Sequence, residues 1–401
     1  MKPNAADQPV SKPKALRGYP ALDGLRCFGL FVIVFAHLPM VTDGGLYNTL
    51  WEINRSSRVG YLLLDSFFTL SGFLITRILL AEKVKTGSVN IRRFYTRRAL
   101  RILPIYYLTL FACLLAFRMP RAEITGLATY TANFYYPFLI GPSPMEHTWS
   151  LSVEEQFYLV WPLLVMALPL RLGTLVTGRV LPLVAIIFGV AIALAVPRLD
   201  FAGDTDLLAG NFVYMAPFTR MLALSLGAWI AYRELERRPL PGWTMALMCV
   251  GALGVLAFDA VGRSSGLVSS HGLYWVIALV GYGPLSVALI GTYIFGQGVV
   301  SNALRFVSEW SPLRAIGRAS YGGYLYHMPI FYWFGLRTAM VTGQTVPASQ
   351  VALALAVTAA VTAASYRFIE APIQAYRGKA VAPRPATAPA ASATQAAGSS
   401  V

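Results

Sequence analysis

Long apolar segments recur along this 401-residue chain and alternate with short polar or basic segments. About ten of them approach the 20 residues that a helix needs to cross a hydrocarbon core of about 30 Å. Each is predicted to be a helix, because backbone polar groups in lipid need internal partners and these segments are too long for barrel strands. The predicted spans are 22–41, 59–81, 102–118, 149–170, 180–196, 212–232, 243–260, 273–295, 318–338 and 350–369. The pattern therefore predicts an all-α fold, a polytopic integral membrane helix bundle with about ten transmembrane helices.

The basic residues predict the orientation of this bundle. Most of the 33 Lys and Arg residues fall in alternate loops, and such residues concentrate on the cytoplasmic side of a membrane. Both termini are therefore predicted to be cytoplasmic. Residues 123–147 are apolar in the middle but also carry Thr, Asn and Tyr, and counting them as a crossing would reverse every later loop. We interpret this segment as an outer or re-entrant one.

The composition supports a membrane protein with one main domain, since 56% of the residues are hydrophobic and 13% are charged. A basic cytoplasmic tail is predicted for 1–19, a membrane domain for 20–376, and a disordered Ala/Pro/Ser-rich tail for 377–401. The net charge of +15 is spread over the inner loops, which fits attraction to an anionic leaflet and matches no nucleic-acid motif. All three cysteines fall in predicted spans, so neither a disulfide nor a metal site is expected.

The first span carries three ionisable residues, which are costly in lipid and usually functional there. Arg26 and His37 are eleven positions apart, so at about 100° per residue they share one helix face and are separated by roughly 16 Å of rise. Asp23 lies three positions before Arg26 and either pairs with it or caps the helix. The spacing predicts a cation near one membrane surface and an imidazole deep in the span.

Two further charged pairs are candidates for the same site. Arg98 and Arg101 are three positions apart at the inner end of the third span and would share a helix face. The alternative is that they only anchor the loop to the cytoplasmic side. Glu154 and Glu155 enter the fourth span and point about 100° apart, so at most one is expected to face His37 fully. The other would form a structural ion pair, for example with Arg220.

Five segments, taken in order, carry a resemblance to a known family. They are 19–38 (YPALDGLRCFGLFVIVFAHL), 67–74 (FFTLSGFL), 92–104 (RRFYTRRALRILP), 147–162 (HTWSLSVEEQFYLVWP) and 320–330 (SYGGYLYHMPI). The chain resembles the membrane acyltransferase-3 family, the bacterial sugar and macrolide O-acyltransferases. The resemblance covers nearly the whole hydrophobic body, and the fourth segment is the most specific.

The resemblance implies transfer of an acyl group, often acetyl, from a coenzyme A thioester to a hydroxyl of a glycan, a glycolipid or a glycosylated metabolite such as a macrolide. It also implies functional roles for Arg26 and His37 and for the pair Arg98 and Arg101. The chain is expected to be a single-domain member, without the esterase-like extension of some relatives. Acyl-CoA, in particular acetyl-CoA, is expected as donor substrate with no permanently bound cofactor. The expected location is the bacterial cytoplasmic (inner) membrane.

The chemistry of such a transfer suggests a role for each candidate residue. Arginine suits the phosphates of coenzyme A because its planar fork donates several hydrogen bonds, and an imidazole can take the proton of the acceptor hydroxyl. Ser150 and Ser152 lack the GxSxG elbow of an activated serine, which favours direct transfer. The predicted site residues are His37, Glu154 and Glu155 for catalysis; Arg26, Arg98, Arg101 and Asp23 for donor binding; and His147, Trp149, Tyr321 and His327 for acceptor binding.

Two alternatives remain at this point. In the first, the chain is a secondary transporter whose buried Arg26, His37, Glu154 and Arg220 form a proton or anion pathway. In the second, the enzyme passes the acyl group across the membrane, because donor and acceptor lie on opposite sides. The lipid bilayer, acyl-CoA and a carbohydrate or glycosylated small molecule are the expected partners, with no nucleic acid.

Overall fold

A computed structural model describes residues 18–57, 59–139, 141–199, 204–264 and 270–380 of the protein. These residues form helices and connecting loops, together with one isolated bridge between Val41 and Val346. The predicted all-α class is therefore confirmed. The predicted basic tail lies almost wholly outside the described residues, as does most of the Ala/Pro/Ser-rich tail.

The first part of the chain forms seven helices up to residue 167. They are α1 (Ala21–Ala36), α2 (Gly45–Ser57), α3 (Val59–Thr86), α4 (Ile91–Ala116), α5 (Arg121–Ala128), α6 (Ala132–Tyr135) and α7 (Trp149–Ala167). Short 3₁₀ turns at Tyr136–Phe138 and Glu146–Thr148 complete the connection between α6 and α7.

The middle of the chain continues with α8 (Leu170–Leu175), α9 (Leu181–Ala195), α10 (Thr205–Met215), α11 (Pro217–Leu235), α12 (Gly242–Ser264) and α13 (His271–Ile294). The last part contains α14 (Val299–Ser308), α15 (Ser311–Arg318), α16 (Ser320–Trp333), α17 (Leu336–Thr342), α18 (Ala348–Ser365) and α19 (Ala371–Ala380). Helix α19 extends past residue 377, where the disordered tail was predicted to begin.

Within the described residues, six helical segments are long and apolar enough to cross a membrane. They are Gly60–Thr86, Ile91–Ala116, Leu170–Arg198, Thr205–Leu235, His271–Ile294 and Ala348–Tyr376. The predicted count of about ten is not confirmed. Helix α1 has 16 residues and α16 has 14, which rise about 24 Å and 21 Å and fall short of a core of about 30 Å. Helix α7 is continuous over 19 residues, but the polar run Glu154 to Gln156 lowers its apolar character.

The segment between α4 and α7 contains only short helices. Its longest, α5, has eight residues and rises about 12 Å, which is too short to cross the hydrocarbon core. Glu123 on α5 is 2% exposed, and its carboxylate accepts hydrogen bonds from the hydroxyls of Tyr136 and Ser143. The segment folds back on itself through these contacts.

Glycines allow a very close helix contact between α3 and α11. A Cβ on Gly72 would lie 2.0 Å from the carbonyl oxygen of Leu224, and one on Gly227 would lie 1.9 Å from that of Thr69. The two backbones can therefore touch only because neither position has a side chain, as is common between membrane helices. Gly72 therefore allows α3 to pack closely against α11.

The start of α1 is fixed in the same way against α14 and α15. A Cβ on Gly24 would lie 2.0 Å from the carbonyl oxygen of Ser308, and one on Gly317 would lie 1.8 Å from that of Asp23. These close approaches hold the first turns of α1, and with them Arg26, at one end of the bundle.

Candidate active site

His37 occupies the end of the first helix. Helix α1 stops at Ala36, and His37 caps it with φ −99° and ψ 4°. The next residue, Leu38, is held by a hydrogen bond of 2.6 Å from the indole Nε1 of Trp51 to its carbonyl oxygen. The predicted span to residue 41 was therefore too long, and His37 lies at a helix end and not in the middle of a span. Its side chain is half-buried.

Three of the four histidines in the chain meet at this point. The Nδ1 atom of His37 lies 3.2 Å from Nε2 of His327 on α16. The His147 ring, from the turn before α7, packs edge-on against the His327 ring with a centroid distance of 4.9 Å. His147 is 3% exposed and His327 is fully buried. His147 and His327, two of the residues predicted to bind the acceptor, thus lie inside the protein around His37 and not on an open surface.

Tyr324 ties this cluster to α7. Its hydroxyl donates a 2.7 Å hydrogen bond to the carbonyl oxygen of His147 and lies 2.6 Å from Oγ of Ser150. Tyr321, one turn earlier on α16, donates to the carbonyl oxygen of Ile102 on α4 at 3.1 Å. The hydroxyl of Tyr321, predicted to contact the acceptor, is therefore bonded within the bundle.

Trp149 is buried in a group of aromatic side chains close to the histidines. Its ring centroid lies 4.7 Å from that of Tyr214 and 6.2 Å from that of Phe68. The guanidinium of Arg220 stacks 5.4 Å from the Trp149 ring centroid. These contacts place Trp149 in the protein interior, where it packs instead of facing an acceptor.

Glu154 and Glu155 do not approach His37 as predicted. Among the described residues, the Glu154 carboxylate accepts hydrogen bonds from Ser71 Oγ at 2.7 Å and from the Tyr158 hydroxyl at 3.2 Å. Glu155 interacts electrostatically with Arg98. The side chain that forms a hydrogen bond with His37 is instead His327. His327 lies on α16, and the spacing of residues in the sequence does not predict that α16 packs against the end of α1.

The predicted cations at the start of α1 and α4 do meet. Arg26 Nη1 pairs with Asp23 Oδ1 at 3.1 Å, as its spacing predicted. The Arg98 guanidinium stacks 4.0 Å above the Tyr158 ring. Both arginines interact electrostatically with Glu154. We call Asp23, Arg26, Arg98, Glu154 and Tyr158 the arginine cluster.

Arg101 does not join this cluster. Its side chain is exposed and interacts electrostatically with Glu370, which is 4% exposed near the start of α19. Arg98 and Arg101 thus have different charged or aromatic neighbours, Tyr158 and Glu370, and their joint role in donor binding stays a prediction. Side chains three positions apart on a helix point in directions that differ by about 60°. On α4 this difference directs Arg98 toward Tyr158 and Arg101 toward Glu370.

Arg220 forms a buried ion pair that the sequence did not suggest. Its Nη1 lies 2.6 Å from Oδ1 of Asp65, with both side chains at most 2% exposed, and its Nε donates to the Tyr214 carbonyl oxygen at 2.6 Å. The predicted pairing of Arg220 with a glutamate of α7 was wrong. The available signal was Asp65 itself, an acidic residue in a long apolar segment.

A second charged pair lies beside His37. It is near the end of α1, whereas the arginine cluster is near the start of that helix. Glu146 and Arg337 form a salt bridge, and Arg337 interacts electrostatically with His37. Burial raises the pKa of the Glu146 carboxyl, and the Arg337 guanidinium offsets part of this rise. Burial likewise raises the pKa of Glu123, against the hydrogen bonds from Ser143 and Tyr136.

Polar groups thus follow one line through the protein. It runs from the arginine cluster along α7 to Ser150 and Tyr324, then to the three histidines, and ends at Arg337 and Glu146. Within the described residues, no group of three His, Cys, Asp or Glu side chains has the geometry to hold a metal ion. The arrangement can bind an anionic group at one end and transfer a proton at the other.

A groove beside α16 has a different character. It is a groove of about 290 Å³ between α4, α16 and α18, and Leu108, Cys113, Pro329 and Trp333 are among its lining residues. None of the lining residues is charged. The groove therefore suits hydrocarbon, and the polar chemistry is confined to the line of residues described above.

Comparison with known proteins gives a family and several relatives, among them two O-acetyltransferases. A family model described as an acyltransferase domain matches residues 19–367. The O-acetyltransferase OatA of Staphylococcus aureus (strain NCTC 8325 / PS 47) is 27% identical over 399 residues, which cover 93% of this chain and 60% of the relative. The peptidoglycan O-acetyltransferase OatA of Listeria monocytogenes serovar 1/2a is 29% identical over 378 residues, which cover 88% of this chain and 56% of the relative.

The chain spans about three fifths of the length of these relatives. No solved structure gives a significant match. The family model covers most of the chain, including the five segments that carry the resemblance and the whole polar line from Arg26 to Arg337. The protein is therefore an integral membrane protein that belongs to the acyltransferase-3 family.

Proposed function

We propose that this protein is a membrane O-acyltransferase that moves an acetyl group from acetyl-CoA to a hydroxyl of a glycan. The observation that carries the proposal is the position of His37, a half-buried imidazole on the same polar line as the arginine cluster and close to the opposite end of that line. The O-acetyltransferase names of the two relatives support the acetyl group. The expected location remains the bacterial cytoplasmic membrane.

In this mechanism His37 acts as the general base. It takes the proton of the acceptor hydroxyl while the hydroxyl oxygen attacks the carbonyl carbon of the thioester. The carbon–sulfur bond then breaks, and the leaving sulfur of coenzyme A takes the proton from the His37 imidazolium, which restores the neutral base. The products are the acetyl ester of the glycan and free coenzyme A.

The arginine cluster is the proposed site for the phosphates of the donor. Arg26 lies eleven residues before His37, which corresponds to about 16 Å along α1. Phosphates held at Arg26 and Arg98 would leave the pantetheine arm to extend along α7 toward His37. Arginine is suited to this role because its guanidinium forms paired, charge-assisted hydrogen bonds with phosphate oxygens.

The acceptor is proposed to be a cell-wall glycan, on the basis of the peptidoglycan O-acetyltransferase among the relatives. The charged pair of Glu146 and Arg337 is half-buried next to His37 and offers polar groups to a carbohydrate. A glycolipid or a glycosylated metabolite such as a macrolide would use the same hydroxyl chemistry.

The transporter alternative has no support. The two relatives are O-acetyltransferases by name. Arg220, which that alternative placed in an ion pathway, is 1% exposed and is paired with Asp65. Arg220 is thus buried and ion-paired with almost no access to solvent, which does not fit a role in exchanging ions.

A sided assay tests the proposed function. Purified protein is placed in vesicles with its predicted cytoplasmic face inside, labelled acetyl-CoA is enclosed, and oligosaccharides of peptidoglycan are supplied outside. We expect one labelled ester on the glycan for each coenzyme A thiol formed inside. Enclosing acetyl-CoA in vesicles without protein is the control. Intact thioester and unlabelled glycan, with acetyl-CoA supplied on either side, would contradict the proposal.

A variant of Arg98 tests the proposed donor site separately. Arg98→Lys keeps the positive charge but loses the planar fork and the stacking on Tyr158. The loss of a charged hydrogen bond costs about 1.5–3 kcal/mol, so KM for acetyl-CoA should rise about tenfold or more while kcat changes little. Arg97→Lys is the matched control, since Arg97 is an exposed neighbour on the same helix. Equal KM values for the two variants would exclude Arg98 from the donor site.

A further inference from the structure

Two contacts determine which nitrogen of His327 carries hydrogen. Its Nδ1 lies 2.6 Å from the carbonyl oxygen of Tyr324. A carbonyl oxygen can only accept a hydrogen bond, so Nδ1 must be the donor. His327 is fully buried, and burial favours the neutral imidazole. A neutral imidazole that carries hydrogen on Nδ1 has a bare Nε2.

The bare Nε2 of His327 determines the state of His37 in turn. It lies 3.2 Å from Nδ1 of His37 and can only accept, so Nδ1 of His37 must donate. The neutral His37 ring then carries no hydrogen on Nε2. That is the form a general base needs, because the free nitrogen must accept the proton of the attacking hydroxyl.

The surroundings of His327 hold it in this geometry. Its ring packs against those of His147 and Phe331 with centroid distances of 4.9 Å and 5.7 Å. Tyr324, which supplies the carbonyl, is itself anchored through its hydroxyl to the His147 carbonyl oxygen and Ser150. The Nε2 atom of His327, which accepts the hydrogen bond from His37, therefore has little freedom to move.

A second hydrogen-bond acceptor lies close to His37. It is the carbonyl oxygen of Ile33, one turn earlier on α1, which also interacts with the His37 ring. The charged or titratable groups that act on the His37 ring are Arg337, His327 and His147. Without His327, either nitrogen of His37 could carry the hydrogen. A share of the molecules would then present Nε2–H to the substrate and could not accept its proton.

We propose that His327 is a positioning residue that fixes the tautomer of His37 with Nε2 free; the proposal rests on the proposed function of His37 as base. When His37 takes the substrate proton at Nε2, its Nδ1–H remains bonded to His327. The hydrogen bond then stabilises the imidazolium, because bonds from a charged donor are stronger than neutral ones.

The test measures the tautomer directly and needs no turnover. The chain has four histidines, so ¹⁵N-histidine labelling gives few signals, and His37→Gln identifies those of His37. We expect the wild type to show His37 with hydrogen on Nδ1 and a bare Nε2. An Nε2–H form of His37 would overturn the proposal, whatever the activity of the protein.

Variants of His327 connect the tautomer to the rate. His327→Leu should give mixed His37 tautomers and lower kcat by roughly tenfold or more, with KM for acetyl-CoA within about threefold because the arginine cluster is untouched. His327→Gln places an amide oxygen where it can accept from His37 Nδ1 and should restore both the tautomer and much of the rate. His271→Gln, at the exposed start of α13, is the control.

The outcomes separate this proposal from the proposed function. The Nδ1–H tautomer in wild type, lost in His327→Leu and regained in His327→Gln, supports the positioning role even in a preparation that transfers no acetyl group. Such a preparation would contradict only the proposed function. An active enzyme whose His37 tautomer and kcat are unchanged in His327→Leu would overturn the positioning role and leave the proposed function intact.

Discussion

Replacing His37 by alanine is expected to lower kcat for acetyl transfer about 10²–10⁴-fold, the usual contribution of a general base. The variant keeps the arginine cluster, so KM for acetyl-CoA should stay within about threefold of the wild type. Initial rates of coenzyme A release, measured at saturating acceptor, give both constants. His37→Ala leaves His327 without its ring partner but leaves the bond from His327 to Tyr324 in place, so the bundle should remain folded.

A matched variant guards against a general effect of removing a histidine. His271→Ala changes an exposed residue at the start of α13 and should keep wild-type kcat and KM. Both variants should show wild-type thermal unfolding in detergent. If His37→Ala retains acyl transfer within a few-fold of wild type while remaining folded, His37 is not the base.

The second large effect concerns the buried pair of Asp65 and Arg220. Removing one partner leaves an unpaired charge in the bundle interior, which costs about 3–5 kcal/mol of stability in buried pairs. Both side chains are at most 2% exposed, so water cannot compensate. Asp65→Ala and Arg220→Ala should each lower the free energy of unfolding by that amount, measured by denaturant titration in detergent micelles.

A double variant provides the control for this prediction. Asp65→Leu combined with Arg220→Met replaces the pair with apolar side chains of similar volume, and such replacements are often neutral or stabilising. The double variant should therefore be more stable than either alanine variant. A cost below about 1 kcal/mol for both single variants would resemble an exposed pair and would show that the charges are solvated.

The arrangement of the site explains why its parts were predicted unequally from the sequence. The pair of Arg26 and Asp23 was one of the two roles that the sequence left open for Asp23, and it could be anticipated because both residues lie on one regular helix. His37 was predicted to lie deep in the first span, and this position was wrong. Helix α1 ends one residue before it, and this end depends on contacts such as the one from Trp51 to Leu38.

The predicted partners of His37 failed for a related reason. Glu154 and Glu155 were chosen because they lie in a motif, yet the direction of each side chain depends on how α7 is rotated against its neighbours. In the structure, Glu154 faces Ser71 on α3. The Arg98 and Arg101 pair diverges because different helices meet the two faces of α4. Rotation about a helix axis is set by packing, which sequence spacing does not contain.

Four features could be predicted from the amino-acid sequence: the helical class, the membrane-embedded character, the family, and the residues capable of acid–base and phosphate chemistry. These follow from local properties: runs of apolar residues, motif order and the cost of charge in lipid. The tertiary structure alone decided that His37 meets His327, 290 positions away, and that Arg220 meets Asp65, 155 positions away. Such contacts depend on side-chain packing between distant helices, and no local pattern specifies which faces will touch.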